Sequence, residues 1–355
     1  MNSVTNEFKF IELPTLLCLG SEMLKSIPEV IQRLSLEKKV LLITDEFLRT
    51  RIAKDVEDIL NDSNIEFFTS AIQNSTMDEV NKQVDIHKEI KPNFVIGLGG
   101  GKPIDIAKSV AFKTKQRFIS IPTIASHDGV ASSRASIMGS DKRHSIQALP
   151  PIAVVADTNI LDESPYKFTA AGCGDLLAKE TAIADWMLAH RLKNEIISEY
   201  SIALSDMTVK LITKNADIIR SQISGYSRIV VKALISSSLA MCVAGSSRPA
   251  SGSEHMFSHA LDSIAEKPAL HGEQCALGSI MMAYLHNLDW AAIKAIMIKL
   301  SLPVTAKELG LKDEEVINAL EIAHSIRPER YTILGKDGLT REAAVNVAAL
   351  TGVIN

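Results

Sequence analysis

The chain changes its hydrophobic rhythm near its middle. From about residue 38, short continuous apolar runs alternate with stretches in which apolar residues recur every three or four positions. Val40-Leu41-Leu42-Ile43-Thr44 and residues 65–69, 94–98, 118–121 and 152–156 read as strands. Between them, residues 47–59 and 77–90 carry helical spacing. Short apolar strands separated by helices predict a parallel sheet covered on both faces. Residues 134–138 and 144–149 flank Gly139-Ser140-Asp141 and read instead as a hairpin. Beyond about residue 162 strand signals stop. Residues 176–192, 196–219, 229–244, 274–288 and 316–326 all carry helical spacing. The reading is an α/β dinucleotide-binding domain over residues 1–161 and an all-α domain over 162–355, meeting at Asp162-Glu163-Ser164-Pro165.

Composition narrows the function classes. The net charge is −4 and both signs are mixed along the chain, which argues against a nucleic-acid partner. The stretch Met1-Asn2-Ser3-Val4-Thr5-Asn6-Glu7 has no basic region leading into an apolar run, so no secretory signal is expected. No apolar stretch reads as membrane-spanning. Cys18, Cys173, Cys242 and Cys275 are scattered without paired spacing, which fits thiols in a reducing cytoplasm. Cys173, near Asp175, and Cys275, four residues past His271, are read as buried small apolar residues rather than ligands.

Three loops and one helix carry candidate chemistry. After the third strand comes Gly99-Gly100-Gly101-Lys102-Pro103-Ile104-Asp105. Glycines let a backbone approach a ligand, free N–H groups at a helix start attract phosphate, and Pro103 suits a first helical turn. The same glycines are also compatible with a plain tight turn. Asp45, at a strand end, is either a ribose-hydroxyl acceptor or a helix N-cap. The loop Pro122-Thr123-Ile124-Ala125-Ser126-His127-Asp128-Gly129-Val130-Ala131-Ser132 follows another strand, where open α/β sheets bind ligands. The helical half opens with Ala171-Gly172-Cys173-Gly174-Asp175, placing an acid at an expected helix start.

The helix is the one that Ser251 and Glu254 mark with capping-box spacing. Met256, Phe257, Ala260, Leu261 and Ile264 form its apolar stripe, and His255, His259 and Asp262 share the opposite face. With His271 nearby, these imidazoles suit a metal, although a solvated polar face has the same spacing.

In this order, the glycine loop, residues 122–129, 171–179 with Asp185-Trp186, 251–262, His271-Gly272-Glu273-Gln274 and 327–334 resemble the metal-dependent polyol dehydrogenases related to glycerol dehydrogenase and dehydroquinate synthase. The resemblance spans nearly the whole chain. The Ser126-His127-Asp128-Gly129 version of the loop is similar to the archaeal-type branch acting on sn-glycerol 1-phosphate. This likeness implies a Rossmann-like α/β domain followed by a helical metal- and substrate-binding domain, the dehydroquinate synthase-like fold. It implies one Zn2+ per subunit on Asp175, His255 and His271, with substrate at Asp128, Asp175 and His259. Gly99, Gly100, Gly101, Lys102, Pro103, Ile104, Asp105, Thr123, Ile124, Ala125, Ser126 and Ser132 would contact NAD(H) or NADP(H). The implied reaction is reversible NAD(P)H-dependent reduction of dihydroxyacetone phosphate, supplying the glycerophosphate backbone of archaeal phospholipids, in a cytoplasmic homo-oligomer without membrane insertion. Rival readings are a glycerol or polyol dehydrogenase, a dehydroquinate synthase-like lyase, and a non-catalytic nucleotide binder. Arg134, Lys142, Arg143 and Arg330 are the candidate phosphate cations. Ser133 departs from the pattern, which favours proline there.

Overall fold

A computed structural model describes residues 10–139 and 143–355, the Arg143 side chain excepted. Ser140, Asp141, Lys142 and residues 1–9 lie outside the described residues. In the first half, β1 (Leu16–Gly20) and α1 (Ile27–Arg33) precede β2 (Lys39–Asp45), α2 (Glu46–Arg49) and α3 (Ile52–Asp62). Then come β3 (Glu66–Ile72), α4 (Met77–Ile90), β4 (Phe94–Gly99), α5 (Gly101–Thr114) and β5 (Arg117–Pro122). The antiparallel hairpin β6 (Arg134–Met138) and β7 (Arg143–Gln147) follows, then β8 (Ala153–Asp157) and α6 (Thr158–Glu163). The second half is helical: α7 (Tyr166–Leu177), α8 (Lys179–Lys193), α9 (Glu199–Lys214), α10 (Ala216–Ser221), α11 (Ser227–Ala244), α12 (Ser253–Ile264), α13 (His271–Leu285), α14 (Trp290–Lys299), α15 (Asp313–Ile322) and α16 (Arg341–Leu350).

The six strands of the main sheet are parallel, in the order β1-β8-β5-β4-β2-β3. Every residue of β4 and β8 is buried, as continuous apolar runs require when helices cover both faces. One apolar cluster, including Leu41, Val95 and Phe118, runs from one sheet face into the helical half as far as Val353. A second, around Val40, Leu60 and Ile96, fills the other face. Parallel strands put their carboxyl ends together, so Asp45, Gly99 and Pro122 share one edge, which faces the helical half.

The strand pattern and hairpin agree with the sequence reading, and α4 has the expected bounds. Strand β1 was not anticipated. It pairs with β8, more than 130 residues later, so nothing local signals it. The expected helix over 176–192 is two helices, broken at Ala178, and the first begins at Tyr166. Residues 169–177 are buried on every side, so α7 has no amphipathic stripe for a pattern to reveal. Asp175 therefore sits in the last turn of α7, not at a helix start, and the dipole argument for it fails. Residues 196–219 likewise divide into α9 and α10. The expectation about membrane-spanning length also needs correcting. Helix α11 has 18 residues and a mean hydropathy of 1.5, enough to cross a membrane by length and composition. Its Val230, Ala233, Leu234, Ser237 and Ser238 are buried among other helices, so here it is a core helix.

Close backbone approaches set the geometry around α7. A Cβ at Gly172 would lie 2.0 Å from the Ala125 carbonyl oxygen, and one at Gly272 would lie 1.9 Å from that of Ala171. The loop after β5, α7 and the start of α13 thus touch backbone to backbone. We expect Gly272→Ala to destabilise the fold by at least about 1–3 kcal/mol through overpacking. The measurement is the urea midpoint at constant slope; an unshifted midpoint would mean the helices separate without cost.

Candidate active site

A cleft of about 1420 Å³ lies between the sheet's carboxyl edge and the helical half. That exceeds a typical small-molecule pocket and leaves room for a dinucleotide with a substrate. Gly100, Gly101, Lys102, Pro103, Asp105, Thr123, Ile124, Ser126 and Ser132 line it, while Gly99, Ile104 and Ala125 lie behind the wall. Gly99 instead accepts the Thr123 N–H at 3.0 Å, tying the two loops together. Asp105 accepts the Ser136 N–H at 3.1 Å. Asp45 caps α2 by accepting the Leu48 N–H at 2.9 Å, and it also lines the cleft. The N-cap reading of Asp45 is thus realised without removing it from the cavity.

The opposite wall carries Asp128, His255, His259 and His271. Helix α12 starts at Ser253 with Gly252 as its cap, so Ser251 is not the cap the spacing suggested. Half of the expected box survives, because Glu254 reaches back to accept the Gly252 N–H at 2.6 Å. Met256, Phe257, Ala260 and Leu261 are buried as expected, while Ile264 is exposed at the helix end. The imidazole face is no solvated stripe: His255 is buried and His259 nearly so.

Buried partners orient the rings. The His255 Nδ1–H donates to Glu254 Oε1 at 2.7 Å, and Glu254 Oε2 accepts from Thr181 Oγ1 at 2.8 Å. This tautomer leaves Nε2, 3.4 Å from Asp175 Oδ1, free to ligate. Ser258 Oγ lies 3.1 Å from His271 Nδ1 and donates to Gln274 Oε1 at 3.0 Å. With its own proton committed to Gln274, Ser258 accepts from His271, so Nε2 is again the free nitrogen. The rings of His255 and His271 are 5.0 Å apart, and those of His259 and His271 5.7 Å.

Asp175 is held by the fully buried Lys179, which donates to its Oδ1 at 2.7 Å and to Asp128 Oδ2 at 2.9 Å. The Asp128 N–H donates to Asp175 Oδ2 at 2.9 Å. Burial alone would raise the Asp175 pKa, but Lys179 and His255 hold it well below the usual carboxylate range. Burial keeps His271 and His259 below the ordinary imidazole value, so both are neutral near pH 7. The structure also brings Cys275 into the group: its Sγ is 3.6 Å from His271 Nε2, and donor atoms of His255, His271 and Cys275 all lie within 4.8 Å of one another. Burial pushes the Cys275 thiol pKa up and keeps it protonated. Burial would lower the His255 pKa, but Cys275, Asp175 and Glu254 together hold it well above the ordinary imidazole value, so this ring gives up a proton when it takes a metal. An ionised carboxylate between a neutral imidazole and one that can lose its proton suits a divalent metal.

Sequence reasoning missed the supports. Lys179, Glu254, Ser258, and Ser237 and Ser238 of α11 all hold site residues. Ser237 donates to Asp128 Oδ2 at 2.7 Å, and Ser238 to the Asp128 carbonyl. The available signal was Ser236-Ser237-Ser238 interrupting the apolar run from Ala233 to Ala244.

An open parallel sheet whose carboxyl edge meets a polar cluster on buried helices fits a dehydrogenase. The profile of the family described as iron-containing alcohol dehydrogenase matches residues 18–165. The chain is 49% identical to a glycerol-1-phosphate dehydrogenase [NAD(P)+] of Thermococcus sibiricus, over 97% of this chain and 98% of that one. It is 47% identical to the enzyme of the same name from Methanosarcina mazei, over 99% and 98%. The chain belongs to the glycerol-1-phosphate dehydrogenase family. Its fold is shared with the solved glycerol dehydrogenase of Schizosaccharomyces pombe, at TM-score 0.80 and 20% identity, covering 98% of this chain and 91% of that one.

Asp185 fixes the helix that carries the imidazoles. Its fully buried carboxylate accepts from Ser253 N and Oγ, both at 2.6 Å, from Ile333 N at 2.6 Å and from His286 Nε2 at 2.9 Å. Asp185→Ala strands these donors, and we expect a loss of at least about 3 kcal/mol in urea unfolding. A loss below about 0.5 kcal/mol, the range of ordinary surface changes, would show that water replaces the carboxylate freely.

Proposed function

We propose that this protein catalyses the reversible NAD(P)H-dependent reduction of dihydroxyacetone phosphate to sn-glycerol 1-phosphate. The reading is carried by one observation: Asp128, His255, His259 and His271 line the same cleft as the glycine turn of a chain 46–49% identical to enzymes named for that substrate. The polyol dehydrogenase and lyase alternatives have no comparable support, since the glycerol dehydrogenase likeness at 20% identity concerns the fold alone.

In this reading Asp175, His255 and His271 hold the metal, taken as zinc. Asp175 is preferred to Cys275 as the third donor because it is already anionic, whereas the buried thiol must first lose a proton. When bound, the metal supplies polarisation of the substrate carbonyl, and the nicotinamide supplies hydride. The chain's own groups do the rest. Among the described residues Asp128 Oδ1 has no partner, because Lys179 and Ser237 both bind Oδ2. It is placed to accept a substrate hydroxyl. His259 Nδ1 is buried without a hydrogen bond and lies 3.8 Å from Asp262 Oδ2. The neutral ring takes the alcohol proton in oxidation and returns it in reduction, with Asp262 as the next group outward. The buried wall keeps water from competing for that proton.

The reading is tested by oxidation of glycerol 1-phosphate, glycerol 3-phosphate and glycerol with NAD+ and NADP+. Glycerol 1-phosphate should lead glycerol by at least about a hundredfold in kcat/KM, because a buried anion site left empty penalises the smaller substrate. Equal efficiency on glycerol would return the polyol dehydrogenase reading.

The ligand set is tested by metal content after dialysis. Asp175→Ala, His255→Ala and His271→Ala should lose the metal, while Cys275→Ala and His259→Ala keep it. His259→Ala should nonetheless lose about a hundred- to ten-thousand-fold in turnover. Loss of metal in Cys275→Ala with retention in Asp175→Ala would exchange their roles.

A further inference from the structure

A phosphorylated three-carbon substrate needs a cation close to the reacting carbon, since only one methylene and an ester oxygen separate the two. Two of the four cations put forward from sequence are already engaged. Arg134 donates to Ser145 Oγ at 3.2 Å, to the Ser145 carbonyl at 2.8 Å and to Gln147 Oε1 at 3.0 Å, which holds the β6–β7 hairpin. Arg330 donates to the Ser251 carbonyl at 2.6 Å and to Ser247 Oγ at 3.0 Å, and it does not line the cleft. Lys142 and the Arg143 side chain lie outside the described residues.

Arg327 differs from all of these. It lines the cleft together with Ser247, Ser251 and His259. Its only hydrogen bonds among the described residues are two long ones, 3.3 Å to Ser247 Oγ and 3.3 Å to Ser251 Oγ. Among the described residues it has no carboxylate within 4.0 Å, whereas its neighbour Arg248 is paired with Glu195. Arg134 and Arg248 crowd it with like charge, and Glu329 and Glu254 offset this only from beyond ion-pair distance. Burial and the same cluster push the Arg330 pKa down to about 9. The positive charge of Arg327 also acts on His259, which places it at the imidazole end of the cleft rather than by the glycine turn. A guanidinium with five donors, two weakly held hydroxyls and an excess of positive charge is the chemistry of a phosphate subsite.

We propose that Arg327, flanked by Ser247 and Ser251, binds the phosphate of the substrate and so sets the preference for a phosphorylated triose over a free polyol. This rests on the substrate reading above. An incoming phosphate replaces the two long serine contacts with charge-assisted ones, and its charge relieves the repulsion among the arginines. Arg327 is a specificity residue in this scheme and takes no part in moving the hydride or the proton.

The test compares metal-loaded wild type with Arg327→Gln and Arg327→Lys, using glycerol 1-phosphate, glycerol and inorganic phosphate. For Arg327→Gln the KM for glycerol 1-phosphate should rise about a hundredfold, as when one partner of a hydrogen-bonded charge pair is removed. The ratio of kcat/KM for glycerol 1-phosphate to that for glycerol should fall at least about tenfold. Inorganic phosphate should compete with glycerol 1-phosphate in wild type and lose that effect in Arg327→Gln. Arg327→Lys should fall between them, because lysine keeps the charge but not the fork. Proportional losses on both substrates, or undiminished phosphate inhibition of Arg327→Gln, would overturn the proposal. Should Arg327→Gln fail to show a cooperative melt, the wild-type competition decides: phosphate that does not compete with glycerol 1-phosphate excludes the subsite. If wild type does not oxidise glycerol 1-phosphate at all, the substrate reading fails by itself. Calorimetric binding of inorganic phosphate to the NAD+-bound wild type and Arg327→Lys then still decides the subsite, equal affinity being the result against it.

Discussion

A single buried ammonium organises the polar wall of the cleft. Lys179 has no exposure to solvent, and a lone charge in that position would cost several kcal/mol. It is tolerated because the carboxylates of Asp175 and Asp128 sit at 2.7 and 2.9 Å. Each partner comes from a different element: Asp175 from the last turn of α7, Asp128 from the loop after β5, and Lys179 from the first residue of α8. Ala178 keeps helical dihedrals at the junction, so Asp175 and Lys179, four residues apart, face one another as they would on one helix. One cation between two carboxylates leaves a net charge of −1; His271 adds a neutral donor, and His255 adds another once it has released its proton. That balance attracts a divalent cation without leaving a large excess of negative charge beside a phosphate-bearing substrate.

Around this pair, the polar side chains are held by partners as buried as themselves. Glu254 is shared by Gly252, Thr181 and His255, and Ser258 joins His271 to Gln274. Gln274 in turn donates to Asp262 at 3.2 Å and to the Ala269 carbonyl at 3.0 Å. A half-satisfied network of this size would be worse than an apolar core. Here the donors and acceptors close on one another around His255 and His271, so each of these two rings has one fixed nitrogen and one free one. Pre-set tautomers matter because a metal affinity or a proton transfer loses strength when the ring must first reorient.

Much of the fold was legible in the sequence because its signals are local. Strands β2, β4, β5 and β8 are apolar runs of about the right length, and the helical spacing from Met77 to Ile90 gives α4 its bounds. The misses have physical causes. Strand β1 depends on a partner distant in sequence. Helix α7 is buried all round, so the periodicity that marks surface helices is absent, and Asp175 was given the wrong helical position. Of the candidate site, Asp128, Asp175, His255, His259 and His271 were named from the resemblance of whole motifs, and the fold brings all five together. Lys179, Ser237, Ser258 and Arg327 were not singled out, because a residue that supports another carries no spacing rule of its own. Cys275 shows the reverse difficulty: free cysteine in a core helix is ordinarily inert, and only the folded distances bring its sulfur to the imidazoles.

The two loops of the sheet edge are coupled through one ring. His127 Nδ1 accepts the Gly129 N–H at 2.9 Å. A Cβ on Gly101 would lie 2.5 Å from its Nε2, and one on Gly129 would lie 2.5 Å from its Cε1. The imidazole thus rests against the glycine turn on one side and the Asp128 loop on the other. Lys108, wholly buried, ties the same loop down by donating to the Gly129 and Arg134 carbonyls, each at 2.7 Å. A continuous chain of contacts thus runs from the glycine turn to Asp128, and through Lys179 to Asp175. In the proposed reading, a dinucleotide on the turn and a substrate beside Asp128 would contact opposite ends of this connected set. Such a connection favours a fixed distance between the nicotinamide and the reacting carbon over loops that close independently, since hydride transfer depends on that distance.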